Sequence, residues 1–286
     1  MTNLSIAVAD VRRIPLPDKS VDLVFCSPPY ENARTYGIGF RLKGDAWVDW
    51  ACDGFVECLR VCRGLVAWVV EGKTKAYRYS ATPALMMANL HRRGVHLRKP
   101  PIFRRVGIPG SGGPDWLRND YEWIVCASGG GKLPWSDNKA MGHAPRWPVG
   151  GAMSNRTRGG SRVSRITKPR GADGRLLSQG YRPPETVNPG NIIACVAGGG
   201  VMGDRLCHEN EAPFPEALAN FFVRSFCPPG GTVLDVFSGS GTTAKVALAS
   251  GRNAIGLDIR ESQAKLTARR CRMIQPEIPA IYVARL

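Results

Sequence analysis

No segment of the sequence approaches the ~18 consecutive apolar residues that cross a bilayer, and the N-terminal MTNLSIAVADVRR lacks a long apolar signal-type core. A soluble, cytoplasmic protein is expected. Paired C-x-x-C spacing is missing too. The nine cysteines, an odd number, are scattered among apolar residues at Cys26, Cys52, Cys58, Cys62, Cys126, Cys195, Cys207, Cys227 and Cys271. Reduced, mostly buried thiols are the simplest reading. A zinc site from Cys58, Cys62 and the Cys207–His208 pair is disfavoured because its spacing does not match structural zinc sites, so no metal is expected. Negative charge is scarce as well: 23 acidic residues face 39 basic ones, a formal charge of +16. Such an excess points to a polyanionic partner, nucleic acid first, with a solvated basic surface as the alternative.

With 286 residues, 43% of them hydrophobic, the chain has room for one large domain carrying an insertion. LSIAVAD and VDLVFC read as strands, DAWVDWACDGFVECLRVC has helical periodicity, and GLVAWVVEG is a buried strand. A second helix is expected from about Ser80 to Arg93, followed by strand-like PPIFRR and YEWIVCAS. This alternation predicts α/β architecture. Between about 131 and 190 it gives way to Gly, Pro, Ser and Arg. Eight Arg and three Lys face Asp137, Asp173 and Glu185 there, so 11 − 3 gives +8, half of the net charge in about a fifth of the chain. A flexible linker is one reading of this basic, irregular insertion; a nucleic-acid contact surface accounts better for its length and charge. Beyond it, PFPEALANFFVRSF is an amphipathic helix, and GTVLDVFSGSGTTAKVALASGRNAIGLDI reads as strand, glycine turn, helix and strand.

Two stretches carry chemistry. The strand VDLVFC runs into Ser27-Pro28-Pro29-Tyr30, where prolines fix φ near −65° and supply no N–H. The carbonyls of Ser27 and Pro28 are thereby left without ladder partners at the carboxyl end of a strand, where open α/β sheets bind ligands. Far downstream, VLDVFSGSGTT is expected to end a strand at Phe237 and to place Gly239 and Gly241 where a helix begins. Such glycines let the backbone approach a ligand, and the helix start offers free N–H donors. The third glycine of G-x-G-x-x-G is absent. Asp258, ending the next strand, strengthens the signal because its carboxylate can accept both hydroxyls of a ribose, which implies a nucleoside-containing cofactor. Asp235, inside the preceding strand, needs donors or a cation when buried; it either caps the glycine loop or also steers the cofactor.

DLVFCSPPY followed by HENEAPFPEALANFFVRSFCPPGGTVLDVFSGSGTTAKVALASGRNAIGLDI resembles the DNA methyltransferases that modify the exocyclic amino group of cytosine or adenine with S-adenosylmethionine. The resemblance covers the chain apart from the basic insertion. The order, catalytic motif first and cofactor motif last, is that of the permuted β class. It implies a Rossmann-like methyltransferase sheet with helices on both faces, divided into a catalytic half (1–130), a target-recognition insertion (131–190) and an S-adenosylmethionine-binding half (191–286). Ser27, Pro28, Pro29 and Tyr30 would be catalytic. The Ser27 side chain and Pro28 carbonyl would accept the amino hydrogens of a flipped base, and Tyr30 would stack on it. The cofactor would be held by Asp10 near its adenine, Phe214 at its methionine end, and Asp235, Phe237, Ser238, Gly239, Gly241, Thr242 and Asp258. Arg156, Arg158, Arg162, Arg165, Lys168 and Arg170 would grip double-stranded DNA. The resemblance further implies a bacterial or phage-encoded enzyme of the restriction–modification kind, with no membrane partner and compatible with a homodimer. A serine opening the tetrapeptide favours cytosine N4, with adenine N6 as the alternative. Methylation of RNA or of a protein amide, and a non-enzymatic nucleic-acid-binding module, are the competing readings.

Overall fold

The computed structural model describes residues 2–31, 37–108, 112–146, 154–156, 159–164, 184–197, 202–274 and 284–285. Its contacts divide into two units, 1–137 with 190–286, and 138–189. The chain forms β1 (Leu4–Val8), β2 (Val21–Cys26), α1 (Gly44–Val61), β3 (Cys62–Val70), a small hairpin of β4 (Thr74–Lys75) and β5 (Arg78–Tyr79), α2 (Thr82–Arg92), β6 (Ile102–Val106) and β7 (Tyr121–Ser128). The smaller unit contributes β8 (Ser154–Arg156) and β9 (Arg162–Ser164). The first unit resumes with β10 (Ile192–Val196), α3 (Glu216–Phe226), β11 (Thr232–Asp235), α4 (Thr242–Ala249), β12 (Asn253–Asp258), α5 (Glu261–Arg272) and β13 (Ala284–Arg285).

Among the described residues, nine strands form one sheet in the order β10-β6-β7-β3-β2-β11-β12-β1-β13. Pairing is parallel except where β7 runs antiparallel to β3 and β6. All six residues of β2 are buried, as a strand covered on both faces requires. Val24 and Cys26 point into a core with Trp47, Ala51 and Phe55 of α1 and Met86 and Leu90 of α2. Leu23 and Phe25 point the opposite way, into Leu218, Ala219 and Phe222 of α3 and Ala244 and Ala247 of α4. The period of two in the strand and the i, i+4 spacing of Trp47, Ala51 and Phe55 thus build a sheet with helices on both faces. All nine cysteines are buried and unpaired, as a reduced interior predicts.

The structure corrects several expected boundaries. β1 stops at Val8 rather than Asp10, because the Asp10 carboxylate accepts the Arg12 backbone N–H at 2.9 Å and turns the chain. β11 stops at Asp235 rather than Phe237, because the Asp235 carboxylate takes the Phe237 N–H at 3.0 Å. Strand β10 and helix α5 had no clear sequence signal. The buried positions of α5 are Ala264, Leu266, Thr267, Ala268, Arg270 and Cys271, of which Leu266 is the one large aliphatic side chain, so the apolar stripe is weak.

In the smaller unit, β8 pairs antiparallel with β9, with Arg156 opposite Arg162, and His143 bridges to Val187. Residues 131–137 stay with the larger unit, where the Asp137 N–H donates to the Ser225 carbonyl. Arg158, Arg165, Lys168 and Arg170 lie outside the described residues.

Candidate active site

β2 and β11 are parallel neighbours, with Leu23 opposite Val233 and Val24 opposite Leu234. Two motifs some two hundred residues apart in sequence therefore leave the sheet side by side at its carboxyl edge. A cavity of about 560 Å³ opens there, a size typical of small-molecule sites. Of the residues expected at the catalytic and cofactor sites, Ser27, Pro28, Pro29, Tyr30, Asp10, Phe214, Phe237, Ser238, Gly239, Thr242 and Asp258 all line it. Asp235 and Gly241 stand behind the wall.

The tetrapeptide is pinned from several sides. The Ser27 hydroxyl donates to the Val69 carbonyl at 3.1 Å and lies 3.4 Å from the Tyr30 oxygen. Since a hydroxyl has one proton and two lone pairs, Ser27 remains an acceptor toward the cavity. The indole N–H of buried Trp47 donates to the Pro29 carbonyl at 2.9 Å, holding the second proline against α1. The Tyr30 hydroxyl donates to Glu122 Oε2 at 2.6 Å, and Arg105 lies 3.3 Å from Glu122 Oε1. Burial, with the Glu122 charge beside it, pushes the Tyr30 phenol well up, so Tyr30 stays a donor. Burial also raises the Glu122 carboxyl, against the pull of Tyr30 and Arg105.

Glu122 and Arg105 both line the cavity and were not singled out in the sequence. Glu71 is a second acid at this edge. Its Oε1 accepts from the Tyr79 hydroxyl and the Gly72 N–H at 2.8 Å each, its Oε2 is buried without a partner, and burial raises its carboxyl above the usual range.

On the opposite side of the cavity, Asp10 is gripped by the Arg12 side chain at 2.7 and 3.1 Å, and this ion pair holds its carboxyl below the ordinary value. Asp258 Oδ2 accepts the Gly239 N–H at 3.0 Å, and its Oδ1 accepts the Arg260 N–H at 2.9 Å. The acid that would meet a ribose also ties down the glycine turn. Gly241 has φ +80°, and a Cβ there would lie 3.0 Å from the Thr267 Cα, so glycine serves both the left-handed turn and the close approach of α5.

Asp235 is 1% exposed. Burial raises its carboxyl to about 7 even though the Phe237 N–H and the Thr243 hydroxyl pull the other way.

Behind the turn lies an ion cluster that the sequence did not suggest. Arg270, 0% exposed, donates to Asp204 at 2.7 Å, Glu216 at 2.6 Å and Thr242 at 2.9 Å, and reaches the Ser240 carbonyl at 3.3 Å. Lys245 completes it at 2.7 Å from the same two carboxylates. Burial alone would raise Asp204, but the hydrogen bonds from Lys245 and Arg270 prevail and hold it at about 2. The cluster joins the glycine turn to the 204–216 segment, whose Asn210 and Phe214 form another part of the cavity wall. Phe214 packs edge-on against Phe25, 5.5 Å away.

Among the described residues, no group of three or more His, Cys, Asp or Glu is placed to hold a metal ion. No helix among them is long and apolar enough to cross a membrane.

Comparison with known proteins gives a consistent result. The DNA adenine methyltransferase YhdJ of Escherichia coli K12 is 26% identical over 92% of this chain and 80% of its own. The orphan methyltransferase M.BamHII of Bacillus amyloliquefaciens is 27% identical over 85% of each chain. Among solved structures, the cytosine-N4-specific PvuII DNA methyltransferase superposes with a TM-score of 0.66, at 18% identity over 94% of this chain and 86% of that one. A Thermus thermophilus protein, complexed with S-adenosyl-L-methionine, superposes at 0.56 with 21% identity over the whole of both chains. These likenesses establish the shared fold. The family model for the N6/N4 DNA methylases matches residues 21–269, from the start of β2 into α5. The chain belongs to that DNA methylase family.

Proposed function

We propose that this chain transfers a methyl group from S-adenosylmethionine to the exocyclic amino group of a base turned out of duplex DNA, with cytosine N4 as the favoured target. The observation that carries the reading is the meeting of Ser27–Tyr30 and the 237–242 turn in one cavity, through the pairing of β2 with β11. An amino group conjugated with a base is a poor nucleophile. Acceptors aimed at its hydrogens favour a tetrahedral nitrogen whose lone pair can attack. The Ser27 oxygen, its proton directed to Val69, and the Pro28 carbonyl are assigned that part. Tyr30, its hydroxyl tied to Glu122, offers a fixed ring face for the base.

Asp258 and Asp10 supply carboxylates for a nucleoside's hydroxyls and adenine, and Asp235, behind the wall, shapes the cofactor turn through the Phe237 N–H. When bound, S-adenosylmethionine supplies an electrophilic methyl group. The chain's own contribution is to hold base and cofactor in line in one cavity, an arrangement that can supply most of the acceleration. The smaller basic unit, 138–189, including Arg156, Arg158, Arg162, Arg165, Lys168 and Arg170, is assigned to DNA contact and target choice on its charge.

Adenine N6 is the second reading, favoured by the E. coli relative, which is an adenine methyltransferase. Sequencing the DNA of a host that expresses the protein, with mass analysis of its nucleosides, separates the two and gives the site. N4-methylcytosine at a defined sequence is expected. The Ser27→Ala protein should still bind cofactor and DNA but transfer methyl groups ~10²–10³ more slowly in a single turnover. DNA without a new modified base would overturn the reading.

A further inference from the structure

The segment between β6 and β7 carries Trp116 and Leu117, which are 79% and 81% exposed. Single exposed apolar residues are ordinary on protein surfaces. Two adjacent large ones on a constrained loop call for a cause. Both stems of this loop belong to the cavity wall, since Arg105 and Ile108 line it on the way out and Glu122 on the way back. The stems are bound together: the Arg105 N–H donates to the Asp120 carbonyl at 2.7 Å, and the Arg105 side chain donates to the Asn119 carbonyl at 2.7 Å. Arg118, next in sequence to Leu117, donates to the Ile108 carbonyl at 3.1 Å. The returning chain packs so closely on Gly112 that a Cβ there would lie 2.8 Å from the Arg118 nitrogen and 2.9 Å from the Trp116 oxygen. The loop therefore holds an indole and a leucine side chain in water while being fastened to the pocket proposed for the extruded base.

A base that leaves the duplex for such a pocket leaves a gap in the stack and an unpaired partner, which is unfavourable. An apolar side chain inserted into that gap restores stacking surface and is itself removed from water. We propose that Trp116 and Leu117 form a wedge that enters the base stack of duplex DNA as the target base swings into the cavity. The proposal rests on the reading of the cavity as the site of methyl transfer to an extruded base. Arg118 and Arg105, bonded to the loop's own carbonyls, keep the wedge at a fixed distance from Tyr30 and Glu122, so that insertion and capture are coupled.

The test uses the full chain, a short duplex carrying the site found by sequencing, and the same duplex with an abasic position opposite the target base. Because both side chains are exposed, the Trp116→Ala, Leu117→Ala protein loses little packing. Its single-turnover rate on the paired duplex is expected to fall by about tenfold or more, while on the abasic duplex, where extrusion is easier, it should stay within about twofold of the parent. Trp116→Phe should keep most of the paired-duplex rate, and S-adenosylmethionine affinity should be unchanged throughout. An equal loss on both duplexes, or no loss on either, would overturn the wedge while leaving the assignment of the cavity standing. A parent protein inactive on both duplexes would overturn the assignment of the cavity and the wedge with it.

Discussion

Asp235→Asn isolates the cost of the one acid in the glycine-turn motif that sits behind the cavity wall. Burial raises the Asp235 carboxyl from its ordinary 3.8 to about 7, opposed by the Phe237 N–H and the Thr243 hydroxyl and helped by the neighbouring charge of Asp258. Below the unfolded value both states carry the proton, and the group contributes nothing to the pH dependence. Between 3.8 and about 7 the unfolded chain loses the proton and the folded one keeps it, so folding stability falls as pH rises. The interval, 7 less 3.8, is about 3 pH units, and at 1.36 kcal/mol each the full loss is ~4 kcal/mol, complete above neutrality. Asparagine keeps an oxygen for the Phe237 N–H and cannot ionise. The ligand-free variant should therefore match the parent near pH 4 and exceed it by up to ~4 kcal/mol near pH 8, read as the difference in urea unfolding free energy. The other shifted groups, among them Glu71, Glu122, Asp10 and Asp204, are common to both proteins and cancel in the difference. A difference that does not grow with pH, or a variant less stable than the parent in alkali, would refute the burial argument.

Two further substitutions probe the supports of the site. Glu122→Leu and Tyr30→Phe should each slow single-turnover methyl transfer, and because each removes one partner of the same 2.6 Å hydrogen bond the double variant should be little worse than either single one, with a coupling of about 1.5–3 kcal/mol; strictly additive losses would show that the bond does not hold the ring. Arg270→Met should leave Asp204 and Glu216 with Lys245 as their remaining partner in the cluster, lowering stability by about 3–5 kcal/mol in urea unfolding and weakening S-adenosylmethionine binding through the loosened turn. Unchanged cofactor affinity would confine Arg270 to a structural part.

What was legible in the sequence is what is local. Six buried residues ending on two prolines announce β2 and its abrupt stop, and two glycines between a strand and a helix announce the turn, because each signal is written in neighbouring residues. The supports were hidden because they come from sheet order and direction. YEWIVCAS is strand-like in sequence, and nothing in it singles out its glutamate. Glu122 becomes a partner of Tyr30, 92 residues away, only because β7 lies beyond β3 and runs against it. In that register Val70 faces Trp123, so the first turn of chain into β7 stands where β2 and β3 finish. A parallel β7 would have carried the same glutamate to the opposite end of the sheet, far from the cavity. Arg270 was hidden for a related reason. ARRCR shows only a run of basic charge in the sequence, and nothing nearby foretells two carboxylates 54 and 66 residues upstream. A buried arginine is tolerable only with such partners, so the three positions stand or fall together, and a sequence reading that weighs residues one at a time will take each of them for surface.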